Sequence, residues 1–283
     1  MYKVIKAFAI AGLLVLAGCS TGRNATKMNA NGFPAVDQKG KVAIVAHRGF
    51  WQCDEGGFSE NSIAALKAAQ DYGFWGSECD IHITADNVII VNHDDKINGK
   101  LIWDHNYADF DKDLLPNGEK RPTFQQYLEQ LSRSTVTKLV IEFKIQKNQE
   151  REDLMVDNTI KMLKEYGLYD PKRVAFISFG RHMCQKIAAE HPQFINQFLS
   201  GKIAPATMAS EKINGIDYHY SNFELWPEFV GAAHDLGMTV NAWTVDKEDK
   251  IQKMIDLKVD AITTNTPLKV RELLGKDEFR IRK

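Results

Sequence analysis

Residues 46–50 read AHRGF, residues 74–83 read FWGSECDIHI and residues 88–94 read VIIVNHD. In each, a short apolar run breaks off into chemically capable side chains. His47 and Arg48 follow residues 42–46, Glu78 and Asp80 follow residues 74–77, and His93 and Asp94 follow residues 88–91. Short runs that are apolar throughout fit strands buried on both faces. Polar residues collected at the ends of consecutive buried strands are what an α/β barrel arranges around its mouth. The expected fold is therefore an α/β barrel.

Working outward, Gly49 lets the backbone turn sharply after the first strand. A Gly-rich loop follows over residues 50–58, and Ser59 is a candidate helix cap for an apolar face at Ile63, Leu66 and Ala69. Gly73 closes that helix. Strand alternation places Glu78, Asp80 and His82 on one face and Cys79 on the other. Residues 84–87 read as a turn, too short for a helix, so the strand at 88–91 returns as extended chain if it is parallel to its predecessor. Residues 94–121 are polar and irregular and read as an insertion over the mouth. Pro122-Thr123 opens a helix through residue 131, and residues 139–143 form a strand with Glu142 and Lys144 on one face.

From there strands (174–178, 194–199, 213–218, 239–243, 261–263) alternate with helices (150–166, 181–190, 227–236, 247–257), which argues for a parallel sheet. That is one strand candidate more than a barrel holds, and one of the two weaker runs, 194–199 or 213–218, is expected outside it.

The chain of 283 residues is 44% hydrophobic, enough for one large barrel. Neither a repeat nor a linker appears after residue 40, so residues 41–283 are taken as one domain. Lys+Arg 36 against Asp+Glu 37 is near balance and gives no case for nucleic acid. The N-terminus reads as targeting rather than fold: Lys3 and Lys6, an apolar run over residues 7–17, then Leu16-Ala17-Gly18-Cys19. This looks like a bacterial lipobox, with residues 1–18 a signal peptide, Cys19 lipidated and residues 19–40 a tether. The expected location is the bacterial envelope, lipid-anchored at the outer membrane and facing the periplasm. Cys53, Cys79 and Cys184 remain, an odd number without zinc-site spacing, and read as core or loop residues.

Glu78, Asp80 and Glu142 give three carboxylates at the ends of two strands, an oxygen donor set suited to Ca²⁺ or Mg²⁺. Buried without a cation they would repel one another. Arg48 offers a planar fork and Lys144 a point charge for an anion. His47 and His93 suit proton transfer. Together these fit hydrolysis of a phosphodiester. His82 shares the carboxylates' face and is read as a packing or rim residue.

The chain resembles the glycerophosphodiester phosphodiesterase family over residues 42–272. The motifs that carry this are His47-Arg48-Gly49, Glu60-Asn61, Glu78-x-Asp80, His93-Asp94, Pro122-Thr123-Phe124, Glu142-x-Lys144, Ser178-Phe179, the run around Trp243, and Val259-Asp260-Ala261-Ile262-Thr263. The resemblance implies a TIM-type (β/α)8 barrel with a divalent cation at Glu78, Asp80 and Glu142. It implies acid/base work by His47 and His93, phosphate contacts from Arg48 and Lys144, and Trp243 on the pocket wall. The substrate would be a small phosphodiester, and the lipid anchor would hold the protein to the membrane. Departures lie around the mouth: Ser62 stands where Thr is usual, Asn265 where Asp is usual, the Arg and Thr usual after His93-Asp94 are missing, and the loop 50–59 is this chain's own. Two other readings compete: a phospholipase or sphingomyelinase D-like enzyme acting on intact lipid, and a non-catalytic envelope binding protein.

Overall fold

The computed structural model describes residues 40–281. The signal peptide, the lipobox with Cys19 and nearly all of the tether lie outside the described residues. The chain runs β1 Val42–Ala46, α1 Ile63–Asp71, β2 Gly76–Ile83, β3 Ile89–Val91, β4 Lys96–Ile97, β5 Lys100–Leu101, α2 Phe124–Leu131, β6 Lys138–Phe143, α3 Gln149–Glu165, β7 Val174–Ser178 and α4 Arg181–Glu190. It continues β8 Asn196–Phe198, α5 Pro205–Ser210, β9 Gly215–His219, α6 Tyr220–Leu225, α7 Glu228–Asp235, β10 Thr239–Trp243, α8 Glu248–Asp256, β11 Ala261–Thr264, α9 Pro267–Leu274 and β12 Glu278–Phe279.

Eight parallel strands, β1-β2-β6-β7-β8-β9-β10-β11, close on themselves because β1 pairs with both β11 and β2. This is the TIM-type barrel. Both weaker strand runs belong to it, as β8 and β9. The strand outside is β3, at the sequence run 88–91. It pairs antiparallel with β2, Ile81 opposite Val91 and Ile83 opposite Ile89. The physical reason is the connection: a few residues allow a hairpin, whereas a parallel return needs a crossover of a dozen or more. Asn87, at φ +67°, supplies the left-handed residue of the turn.

The cap of α1 is Ser62 rather than Ser59: its side chain accepts from the Ala65 N–H at 2.9 Å and donates to the Ser59 carbonyl. The loop stays non-helical to that point because the Asn61 N–H is committed to the Arg48 carbonyl at 2.9 Å. α3, α4, α7 and α8 lie where their periodicity put them, whereas α5, α6 and α9 were not among the helices expected from the sequence.

Val45, Val140, Ala175, Ile177 and Ala261 form a small apolar cluster. Among the strands' buried polar groups, Gln197 donates to Thr239 at 2.9 Å, and Asn241 donates to Asp217 at 3.1 Å and to Thr263 at 2.9 Å. Two larger clusters seal the helices against the outer faces of the strands. The insertion, expected to be polar and irregular, has a small core in which Ile97, Ile102 and Phe110 are buried with Ile90 of β3. No helix among the described residues is long and apolar enough to cross a membrane. Cys53, Cys79 and Cys184 are free.

Candidate active site

β2 and β6 are neighbours with Asp80 opposite Glu142. Glu78 lies two residues before Asp80 and so shares its face. Oxygens of Glu78, Asp80 and Glu142 lie within 4.8 Å of one another, all three residues buried. Glu78 Oε2 accepts the Arg48 backbone N–H at 2.7 Å, while Glu78 Oε1 is buried with no hydrogen-bond partner. Asp80 Oδ2 accepts from Asn61 Nδ2 at 2.8 Å. Lys144 Nζ lies 2.8 Å from Glu142 Oε1 and 3.3 Å from Asp80 Oδ1.

Burial pushes the Glu78 carboxyl well above its usual range, and Asp80 and Glu142 push it further. Burial, with Asp80 beside it, raises Glu142 to about 7. Burial would raise Asp80 too, but the Lys144 ammonium and the Asn61 amide outweigh it and hold that carboxyl below its usual value. One firm anion and two frustrated carboxyls, all oxygen donors and one with an orphaned oxygen, fit a divalent cation. The chain's residues therefore fit the metal that the sequence pattern suggests.

The His47-Arg48-Gly49 turn is what aims the Arg48 N–H at Glu78. Arg48 takes φ +55° and Gly49 φ +82°, and the Gly49 N–H closes the turn on the Ala46 carbonyl at 3.2 Å. A bulky residue in the left-handed region is uncommon and tends to mark functional backbone. The Arg48 guanidinium contacts Glu60 Oε2 at 2.8 Å, and its Nε, 3.7 Å from Asp80 Oδ2, is buried without a hydrogen-bond partner. His47 is held by Nδ1, 2.9 Å from Asn265 Oδ1. Burial and the neighbouring Arg48 charge lower its pKa.

His93 sits not on a barrel strand but on the bend after β3. Its Nδ1 is 2.7 Å from Asp94 Oδ1, and its backbone oxygen accepts from His82 Nε2 at 3.3 Å. Burial lowers His82 to about 4, so its ring is neutral. With Nε2 donating to a carbonyl, Nδ1 is left to accept from Gln146 Nε2 at 3.4 Å. His82 is a buried packing residue that supports the backbone of His93, in line with the sequence reading.

A cavity of about 220 Å³ opens here, lined by His47, Arg48, Glu78, His93, Glu142 and Lys144. Trp243 forms a wall, its Nε1 donating to the Asp217 carbonyl at 2.9 Å and the Phe179 ring set edge-on at 5.6 Å. A second cleft of about 420 Å³, lined by Trp51, Glu60, Asp94, Lys96 and Arg121 among others, meets the first at His93. Every site residue read from the sequence is gathered here except Cys19, which lies outside the described residues. Asp80 sits just behind the lining.

Three features escaped the sequence reading. Asp217, on β9, lines the cavity with Oδ1 buried and unpartnered, and burial, then Glu142, lifts its carboxyl well above the usual range. The reading that picked out Glu78 looked for polar residues just past an apolar run, and Asp217 stands inside its run, 213–218, so it was passed over. Asp246, which accepts from Asn265 Nδ2 at 2.9 Å, and Arg121, which donates to Asn92 in the second cleft, have no local signal, because these partners are distant in sequence.

The model of the glycerophosphoryl diester phosphodiesterase family matches residues 47–269. A curated glycerophosphodiester phosphodiesterase of Caldanaerobacter subterraneus subsp. tengcongensis is 26% identical over 250 residues, covering 83% of this chain and 99% of that protein. The crystal structure of a glycerophosphodiester phosphodiesterase from Parabacteroides distasonis is 36% identical, covers 83% of this chain and 98% of its own, and has a TM-score of 0.80. A phosphodiesterase of Oleispira antarctica, solved with the product sn-glycerol-3-phosphate, shares the fold with a TM-score of 0.70 at 20% identity, over 83% of this chain and 97% of its own.

Proposed function

The chain belongs to the glycerophosphoryl diester phosphodiesterase family, and from that premise we propose that it hydrolyses glycerophosphodiesters to glycerol phosphate and an alcohol. The observation that carries this reading is the meeting of His47, His93 and a buried three-carboxylate cluster on one cavity. Glu78, Asp80 and Glu142 would hold Ca²⁺ or Mg²⁺, which when bound supplies Lewis-acid polarisation of the phosphate ester.

The remaining work falls to side chains. Arg48 and Lys144 face the phosphate as a fork and a point charge, and the unpartnered Arg48 Nε is a donor in waiting. His47, kept neutral by burial and by Arg48, takes the proton of the attacking hydroxyl. That hydroxyl belongs either to water or to the substrate's own glycerol. His93, whose Nδ1 is held by the Asp94 carboxylate at 2.7 Å, gives a proton to the leaving alcohol. The Asp217 carboxyl, raised by burial, and the Trp243 ring meet the glycerol part. The leaving alcohol extends past His93 into the second cleft, whose charged lining suits a small polar headgroup better than acyl chains. Anchoring through Cys19 at the periplasmic side belongs to the same proposal. It is supported by Leu16-Ala17-Gly18-Cys19 and tested by fatty-acid labelling that Cys19→Ala should abolish.

A panel of glycerophosphodiesters, each with Ca²⁺ or Mg²⁺ and followed by phosphorus NMR, tests the reaction. Release of glycerol phosphate that chelator stops and His47→Ala abolishes is expected. Tight binding of these esters with no turnover under any metal would mean a binding protein instead.

A further inference from the structure

We propose that Asn265 is a positioning residue that, clamped by Asp246 and Trp51, fixes His47 in the tautomer protonated on Nδ1 and reserves its Nε2 lone pair for the reacting hydroxyl. The inference rests on the reading of His47 as the proton acceptor.

The two ends of a side-chain amide have nearly the same shape, so only the neighbours decide which end faces where. Around Asn265 they decide unambiguously. Trp51 Nε1 can only donate, and it lies 3.2 Å from Asn265 Oδ1. The Asp246 carboxylate can only accept, and its Oδ2 lies 2.9 Å from Asn265 Nδ2. The carboxylate is itself immobilised, since its Oδ1 accepts the Asn265 backbone N–H at 2.8 Å and the Thr264 hydroxyl at 2.9 Å. Turning the amide over would set an N–H against an N–H and an oxygen against a carboxylate. The oxygen therefore faces His47.

That oxygen is 2.9 Å from His47 Nδ1 and has no hydrogen to give. His47 must donate, so Nδ1 carries the hydrogen. A neutral imidazole has one donor and one acceptor nitrogen, and burial with the Arg48 charge favours the neutral ring. Nε2 is then a bare acceptor on a ring that lines the catalytic cavity. Asn265 and Asp246 do not line that cavity, so their contribution passes through His47.

The clamp draws on loops after three neighbouring strands: Trp51 after β1, Asp246 after β10 and Asn265 after β11. It also gives a meaning to two departures noted in the sequence. A carboxylate at position 265 would accept from His47 whichever way it turned. An amide has to be told which end to present, and Asp246 together with Trp51, from the chain's own loop 50–59, does so.

The test exchanges the two groups. In Asp246→Asn, the new oxygen stays with the Asn265 backbone N–H and Thr264, its NH₂ faces Asn265, and Asn265 flips, so that His47 protonates on Nε2. Turnover should fall roughly 10–100-fold with KM changed less than about threefold. Adding Asn265→Asp to that variant restores an acceptor toward Trp51 and His47, and turnover should return to within about threefold of wild type. Equal turnover in wild type and Asp246→Asn, or no rescue in the exchanged pair, would overturn the clamp. Nitrogen-15 NMR of labelled histidine in the unaltered protein, at a pH where His47 is neutral, is independent of any variant's folding. A hydrogen on Nδ1 supports the proposal and a hydrogen on Nε2 overturns it. Full activity in His47→Ala would sink the underlying reading, whereas an inactive His47→Ala beside a fully active Asp246→Asn would sink only the clamp.

Discussion

The Arg48 backbone N–H reaches Glu78 Oε2 at 2.7 Å, and it does so because Arg48 sits at φ +55° ahead of Gly49 at φ +82°. The carboxylate cluster thus depends on a left-handed turn in a different strand's loop. A Cβ on Gly49 would lie 2.6 Å from Ala65 Cβ and 2.8 Å from the Ala65 carbonyl carbon. Gly49→Ala should therefore cost about 2–4 kcal/mol of stability through backbone strain and overpacking. It should also weaken divalent-cation binding as Glu78 loses its donor. Denaturant unfolding and calorimetric metal titration check the two effects.

Glu142→Gln separates folding from metal binding. The Glu142 carboxyl is raised from 4.5 to about 7, so in that window the folded chain keeps a proton that the unfolded chain releases. In chelator, stability should fall as pH rises between those values, and Glu142→Gln should flatten the fall. The same variant should bind cation more weakly and turn over more slowly. A flat wild-type profile in chelator would show that the carboxyls do not oppose one another.

The two histidines can be told apart by leaving group. An alkoxide needs a proton and a nitrophenolate does not. His93→Ala should lose roughly 10²–10⁴-fold on a glycerol phosphate alkyl ester and far less on the matching nitrophenyl ester. His47→Ala should lose similarly on both. Steady-state rates on the ester pair decide it, and equal losses for both variants on both esters would make the histidines phosphate binders.

Lys138 offers a test at the closed end of the barrel. Its ammonium is buried beside the Trp75 ring, 5.3 Å from the centroid, and donates to the Pro171 carbonyl. Burial lowers it from 10.5 to about 7. The unfolded chain therefore holds the extra proton across that window, and stability declines as pH falls from the higher value to the lower. Lys138→Met should raise stability at neutral pH, on the order of 1–4 kcal/mol, and remove most of that slope. Melting curves across the window check it, with activity unchanged at the opposite end.

Much of the fold was legible because parallel barrel strands are buried on both faces and announce themselves as apolar runs, as at β1, β2, β6 and β7. The rule misfired where a strand is apolar for another reason. β3 is as apolar as its neighbours, but its partner is chosen by the length of the preceding turn. β8 and β9 looked weak because Asn196, Gln197 and Asp217 are buried polar groups, and only their nonlocal hydrogen bonds show why they are tolerated. The insertion looked shapeless because its cluster joins Ile90, Ile97, Ile102 and Phe110 from separate short elements. In the site, charges at strand ends were readable one by one. The Asn265–Asp246–Trp51 arrangement was not, because its members stand far apart along the chain and meet only when the barrel closes.

The β2–β3 hairpin also divides the protein into parts of unequal robustness. The carboxylates proposed to hold the cation ride on β2 and β6, whose ladder pairs six residues of each strand. His93 rides on the bend after β3, where the Asn92 N–H on the Asp80 carbonyl at 3.0 Å and His82 on the His93 backbone oxygen at 3.3 Å tie it to β2, and the chain beyond it passes into the small cluster of the insertion. Local opening of so small a unit takes less free energy than opening the barrel. Warming should therefore silence turnover before it releases the cation, with amides around Ile97 and Ile102 exchanging hydrogen early while those of β2 and β6 stay protected. Catalysis, on this layout, has its own melting point.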